Sequence, residues 1–363
     1  MNQSFNESIL IRQKLLSWYR RQKRSLPWRA TTDPYRIWVS EVMLQQTTVA
    51  AVRNRYDGFL RRFPNLASLA RASQDSVLAA WSGLGYYGRA RNLRKAARRI
   101  VREHGGRLPD DPETLETLPG FGPYTAAAVA SLAFGRRVPA ADANVTRVVS
   151  RLYAISGGSG PRADREAVLA RVLPFLPRHR PGDAIAAFMD LGQVICLPRA
   201  PLCERCPLER ECAARRSGRP QRYPRRARKA RPVAIHLAAI VAERGGRALL
   251  VRSRASFLNG LWEFPCAQAT TAESARRRLA SVMRPLGLRL STATPSAHAR
   301  HTVVNRRLQI AVYPGLSVAP VQLRHAKSFP HRWFRAFDLE RAAVPTLTRK
   351  IARAAGFVRS PRV

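Results

Sequence analysis

Four of the five cysteines fall within seventeen residues: Cys196, Cys203, Cys206 and Cys212, separated by six, two and five residues. Thiols so close together can form disulfides, a structural zinc site or an iron–sulfur cluster. Disulfides need an oxidising compartment, and the N-terminal MNQSFNESILIRQKLLSWYRRQKR reads as a charged amphipathic helix, not as a secretory signal. Zinc sites usually join two Cys-x-x-Cys clips across a longer loop, and this stretch has one clip. The graded spacing wraps one compact object. The expectation is a 4Fe–4S cluster, held by the Pro-rich loop 197–211 after the apolar run 184–195.

Two carboxylates stand out. Glu41 lies in PYRIWVSEVMLQQTT among Val39, Val42, Met43 and Leu44. An acid in such surroundings is pushed toward its protonated form, which suits a general acid near neutrality. An exposed Glu on an amphipathic helix fits the local sequence equally well. Asp142, in VPAADANVTRVVSRL, is either a second reactive group or simply a helix N-cap. Between them LPGFGPYT (118–125) sets Gly120 and Gly122 in a tight turn before AAAVASLAF. Glycines there let backbone amides approach a phosphate, although many interhelical turns look alike. WSGLGYYGRARN (81–92) places Tyr86 and Tyr87 after a Gly-Leu-Gly hinge, with Arg89 and Arg91 behind them as candidate phosphate anchors. Gln45 and Gln46 are fit to probe base edges.

The elements that must position these residues follow from periodicity. Apolar spacing near 3.6 predicts helices within 37–63, 76–81, 92–101, 125–134, 145–154, 165–176 and 184–195. Residues 215–232 carry nine basic residues in eighteen and no acid, a linker by composition. Beyond it the pattern changes to a hairpin of 235–242 with 247–252, a strand at 308–313, and helices at 272–283 and 347–355. The reading is two domains, mainly helical 1–214 and α+β 233–363.

The chain of 363 residues is 45% hydrophobic, which excludes a disordered protein, and has no apolar run of bilayer length. Its formal charge is +41, and only six of its 64 basic residues are lysine. An Arg-rich proteome accounts for arginine over lysine but not for the deficit of acid. Such a charge predicts a polyanionic partner, nucleic acid before an anionic membrane surface. Reduced cysteines without an export signal place the chain in the cytoplasm.

EVMLQQT, GLGYYGRARNL, LPGFGPYTA, DANV and MDLGQVIC with its cysteine loop, in that order, resemble the helix–hairpin–helix, iron–sulfur DNA glycosylases, and within them the MutY-type adenine glycosylases. The resemblance spans about residues 12–212; the C-terminal half is similar only in size and pattern to that family's Nudix-like domain. It implies a multidomain fold, a mainly α helix–hairpin–helix glycosylase domain with a 4Fe–4S loop plus an α+β Nudix-like domain. The implied activity is monofunctional hydrolysis of adenine's N-glycosidic bond, opposite 8-oxoguanine or guanine, in base excision repair. Double-stranded DNA is the implied partner, no membrane is expected, and the protein is expected to be a monomer at the bacterial nucleoid.

The resemblance also implies roles. Glu41 protonates an extruded adenine, Asp142 stabilises the sugar cation, and Tyr124 and Asn144 support them. Gln46 and Tyr86 fill the disturbed stack, while Arg24 and Trp28 line the base pocket. The related endonuclease III branch carries a Schiff-base lysine where this chain has Tyr124, so a glycosylase/lyase is the alternative this residue opposes. Departures are Ala143 after the aspartate, Ala186 where relatives are polar, and Val303-Val304-Asn305 where the reading loop has Phe-Ser-His. In the Nudix-like half Ser281, Arg284 and Pro285 occupy positions where a hydrolase needs carboxylates, so that domain is expected to read rather than hydrolyse.

Overall fold

The computed structural model describes residues 2–158, 160–225, 231–253, 258–303, 305–317 and 330–358. They divide into two compact units, residues 1–70 with 95–228 and residues 71–94 with 229–363. Among the described residues no helix is long and apolar enough to cross a membrane.

The first unit is helical. In chain order the elements are α1 (Asn2–Gln22), α2 (Pro34–Leu44), α3 (Val49–Arg62), α4 (Leu66–Arg71), α5 (Gln74–Ala80), α6 (Gly88–Glu103), α7 (Pro112–Glu116), α8 (Pro123–Phe134), α9 (Ala143–Leu152), α10 (Pro161–Val172), α11 (Pro181–Val194) and α12 (Ala213–Arg216). Of these α5 and the start of α6 belong to the second unit. The periodicity over 37–63 is two helices rather than one. Gln46 has φ 53°, and the Thr48 hydroxyl accepts from the Ala51 amide to start α3 afresh. Asp33 caps α2 by accepting from the Tyr35 and Arg36 amides, and Pro34 occupies its first position. Gly122 precedes Pro123 at the start of α8, and Gly135 ends it in the left-handed region at φ 67°.

Helix α11 is buried almost all round and packs against α1, α8 and α9. Two of its glycines set the distance. A Cβ at Gly182 would lie 2.8 Å from Ser131 O and Leu132 Cα on α8. At Gly192 it would lie 2.7 Å from Asn144 Cβ on α9. The helices that carry Tyr124 and Asn144 are thus seated directly on the backbone of α11.

The second unit holds an eight-stranded sheet built on β1 (Val233–Arg244), β2 (Arg247–Arg252), β3 (Trp262–Glu263), β4 (Cys266–Ala269), β5 (Leu288–Leu290), β6 (Ala297–Val303), β7 (Arg306–Ser317) and β8 (His331–Arg335). β1 and β7 run parallel from Val233↔Arg306 to Ala242↔Gly315, which requires the crossover through α13 (Ala272–Met283). Gly245 and Gly246, both at positive φ, form the two-residue turn from β1 to β2. The helix at Thr346–Ala354 covers one face with Leu347 and Ile351.

Residues 71–94 group with the second unit, whereas the sequence placed all of 1–214 in one domain. Ser82 and Tyr87 both donate to the Val344 carbonyl, and Arg252 pairs with Asp75. The basic segment is not a free spacer up to Arg225 either. The Arg225 amide donates to Ser156 O at 2.8 Å, and Arg151 donates to Tyr223 O. Residues 226–230 of that linker lie outside the described residues.

Gly192→Ala is expected to destabilise the helical unit by about 1–3 kcal/mol, because neither backbone can yield without moving a helix. Urea unfolding followed by circular dichroism checks this, with Gly122→Ala, where a Cβ meets nothing within 4 Å, as the mild comparison.

Candidate active site

Glu41 comes from the middle of α2, is 4% exposed, and faces α8. Its Oε2 accepts a 2.8 Å hydrogen bond from the Tyr124 hydroxyl, at the second position of α8. Burial raises the Glu41 carboxyl, opposed by the Tyr124 bond and by Arg29, and reinforced by the negative charge of Asp142. The Tyr124 phenol is driven well above its ordinary range by the same burial and by Glu41 beside it, so it remains a donor.

Asp142 is the N-cap of α9, as the plain reading of its sequence suggested. Its Oδ1 accepts from the Asn144 and Val145 amides, and its Oδ2 accepts from Asn144 Nδ2 at 2.8 Å. Capping does not hide it. Glu41, Tyr124, Asp142 and Asn144 line one cavity of about 630 Å³, with Leu26, Trp28, Met189, Asp190, Gln45, Gln46 and Gln193 around it. That volume lies within the range of small-molecule sites. Trp28 forms the apolar wall, its ring edge-on to Tyr56 at 5.3 Å. Arg24 acts on the cavity through Gln193, whose Oε1 accepts from its guanidinium. The arrangement can supply a proton from one side and a fixed negative charge from the other. Among its lining residues are one arginine, Arg29, and no lysine.

The four cysteines converge on a common pocket with Ile195, Pro201, Pro220 and Arg151. All are free thiols. Burial pushes Cys206 up to about 12 and raises Cys203 and Cys212. Arg151, 2% exposed, donates to Cys196 Sγ at 3.2 Å and to the carbonyls of Leu197 and Pro198. An apolar cradle with four sulfurs and one buried cation fits an anionic thiolate-ligated group chemically. Among the described residues no three His, Cys, Asp or Glu are grouped to hold a metal ion.

Two residues absent from the sequence reading connect these places. Arg147, one turn before Arg151 on α9, donates to Asn144 Oδ1, to Gly192 O at 2.6 Å and to Cys196 O at 2.8 Å. Their i, i+4 spacing on a largely apolar helix was the available signal.

The candidate DNA contacts fall differently. Gly120, at φ 85°, and Gly122 lie exposed in the turn before α8. Gln46 is exposed at positive φ, and Tyr86 is 46% exposed at φ 45°. Arg89 and Arg91 do not stand out as phosphate anchors. Arg89 donates to the Leu84 and Gly85 carbonyls and covers the Trp81 and Tyr86 rings, burial lowering it to about 10. Arg91 donates to Asn259 O. Both guanidiniums are engaged by backbone carbonyls.

The helical unit and its site define a class. Residues 39–172 match the HhH-GPD superfamily base excision DNA repair protein family, and residues 237–354 match the NUDIX domain. A solved thermostable thymine-DNA glycosylase superposes with a TM-score of 0.54 and 30% identity, over 58% of this chain and 98% of its own. The adenine DNA glycosylase of Homo sapiens is 34% identical over 96% of this chain and 74% of its own length. That of Mycobacterium tuberculosis H37Rv is 44% identical, over 57% of this chain and 68% of its own length. The chain belongs to the adenine DNA glycosylase family.

The raised Glu41 carboxyl sets a pH dependence. Stability from this group is full below the ordinary carboxylate range, where both states are protonated, and is lost as pH rises through the folded value. Glu41→Gln is therefore expected to unfold at higher urea than wild type at about pH 8, and at the same urea at about pH 4. An equal difference at both values would remove burial of the carboxyl as its cause.

Proposed function

We propose that the chain is a monofunctional adenine DNA glycosylase of base excision repair, acting on adenine opposite 8-oxoguanine or guanine in duplex DNA. The observation that carries this reading is the buried Glu41 bonded to the half-buried Tyr124, sharing with the Asp142–Asn144 cap one cavity whose described lining has no amine nucleophile.

Adenine is a poor leaving group until an imidazole-ring nitrogen takes a proton, and Glu41, kept neutral by burial, donates it to the extruded base. As the bond to the sugar breaks, positive charge develops at the anomeric carbon. Asp142 supplies the opposing charge from a position that three N–H donors already fix, so little reorganisation is needed. Tyr124 orients the Glu41 carboxyl. Gly120 and Gly122 hold the phosphate by backbone amides, with Gln46 and Tyr86 entering the stack. Asn305 and Arg306 are exposed at the turn between β6 and β7, where they are free to read the opposite base; Val304 lies outside the described residues. The setting is the cytoplasm of a bacterial cell, at the nucleoid, and the unit of action is the monomer.

Cys196, Cys203, Cys206 and Cys212 would hold a 4Fe–4S cluster. Four thiols that share one pocket, spaced six, two and five residues apart with a single Cys-x-x-Cys clip, support a polynuclear group over zinc. Held there, it would tie together the loop carrying Arg199, Arg205 and Arg210, and the hydrolysis would need no redox step from it.

In single-turnover assays adenine is expected to leave duplexes with adenine opposite 8-oxoguanine or guanine, but not opposite thymine. The strand should stay intact until alkali is added, and borohydride should trap no adduct. Glu41→Gln should lower the rate at least about 100-fold with duplex binding retained. Base release without Glu41, or strand cleavage as fast as base release, would overturn the mechanism. Separately, anaerobically purified protein is expected to contain iron and labile sulfide; one zinc per chain without sulfide would reject the cluster.

A further inference from the structure

Glu41 borders two cavities. Besides the reacting cavity it lines a second one of about 480 Å³, and Trp28 and Arg29 stand with it in the partition between them. The rim of the second cavity is exposed, at Ala30, Thr32, Gly135 and Arg180. Its floor is Ser40, Glu41 and Ser131, which are 1%, 4% and 2% exposed. The carboxyl therefore has a way to solvent apart from the cavity that would receive the base.

The lining is suited to hold water. Ser131 Oγ and Arg29 Nε are buried and have no hydrogen-bond partner. The other end of Arg29 is engaged, its Nη2 donating to Met189 Sδ at 3.5 Å and standing 3.9 Å from Asp190 Oδ1. An open hydroxyl and an open N–H beside a carboxyl give water the polar contacts it needs, whereas an apolar void stays dry. At the rim Arg180 pairs with Asp183, Nε to Oδ2 at 3.1 Å, which keeps the entrance polar. Glu41 itself faces Arg29 in the partition, the Tyr124 phenol on α8 and the charge of Asp142 at the start of α9. Tyr19 completes the titratable lining of the second cavity.

We propose that the second cavity is a water-filled proton route to Glu41, with Ser131 as the positioning residue that orders its water toward the carboxyl. This rests on the adenine glycosylase reading above and deepens it. In that reaction Glu41 gives its proton to the base and is left an anion, while the water added to the sugar releases a proton on the Asp142 side. A duplex seated over the reacting cavity closes that way to bulk solvent. Through the second cavity a hydronium ion in solution loses one proton and the carboxylate gains one, each water between passing a proton on. Of the two open groups, the Ser131 hydroxyl both donates and accepts, so it can take part in such a chain; a guanidinium only donates.

The test uses full-length protein in excess over a duplex with adenine opposite 8-oxoguanine, equilibrated at a series of pH values. Unlabelled duplex is added after binding so that no complex re-forms. Wild type is expected to release its base in one phase of full amplitude at every pH, because complexes formed with Glu41 ionised regain a proton through the second cavity. In Ser131→Val the fast phase is expected to shrink as pH rises from about 5 to about 9, leaving a remainder at least about tenfold slower. Ala133→Phe, which fills the cavity from a half-buried position on α8, should do the same and serves if Ser131→Val folds poorly. Ser131→Thr adds the same methyl but keeps the hydroxyl and should match wild type. A role confined to packing would slow Ser131→Val and Ser131→Thr alike at every pH, which overturns the proposal. Single phases of full amplitude in folded Ser131→Val and Ala133→Phe also overturn it, while leaving the glycosylase reading intact. Release of no base by wild type overturns both.

Discussion

A carboxyl kept from water is the constraint around which the helical unit is arranged. Placing an ionised Glu41 in this interior carries a penalty of several kcal/mol, which one hydrogen bond from Tyr124 does not offset. Its carboxyl is therefore held above the ordinary carboxylate range. That condition holds only while α2 and α8 stay closed over it, so acidity here is a property of helix packing as much as of the side chain.

The packing in turn depends on α11. Its glycines allow α8 and α9 to approach a common backbone, so Tyr124 and Asn144 rest on one reference surface. The two carboxylates are held in different ways. Glu41 sits mid-helix in an apolar wall, while Asp142 sits at a helix start, where amide donors and the helix dipole favour negative charge. The same functional group thus stands in two different environments, the division of labour that the proposed mechanism draws on.

The candidate site was more legible in the sequence than the scaffolding that positions it. The cysteine loop, Glu41, Tyr124 and Asp142 were legible because each lies in a short motif whose residue types restrict its use. For Asp142 the two local readings proved compatible, since the same carboxylate caps α9 and faces the cavity. Periodicity located the helices and the hairpin but missed the break at Gln45–Thr48, where four polar residues in a row and the Thr48 cap separate two helices of similar apolar spacing. An arginine after a glycine-rich turn looks solvent-directed, as Arg89 does in the sequence, whereas the carbonyls that such a turn exposes attract it inward. Arg147 and Arg151 carry no local signal beyond helical spacing, and Asp190 and Gln193 lie in MDLGQVIC without being singled out. Their partners lie far away in the chain, at Arg24, Cys196 and Tyr223.

Arg147 joins the reacting cavity to the cysteine loop. One planar guanidinium serves the amide oxygen of Asn144, the backbone of α11 and the carbonyl of Cys196, acceptors that a lysine's single ammonium could not span together. The orientation of Asn144 and the order of the cysteine loop are consequently one degree of freedom rather than two. A chain whose loop has not closed lacks one of the fixed points that hold the amide against Asp142, so completion of the loop and readiness of the cavity are registered by the same side chain.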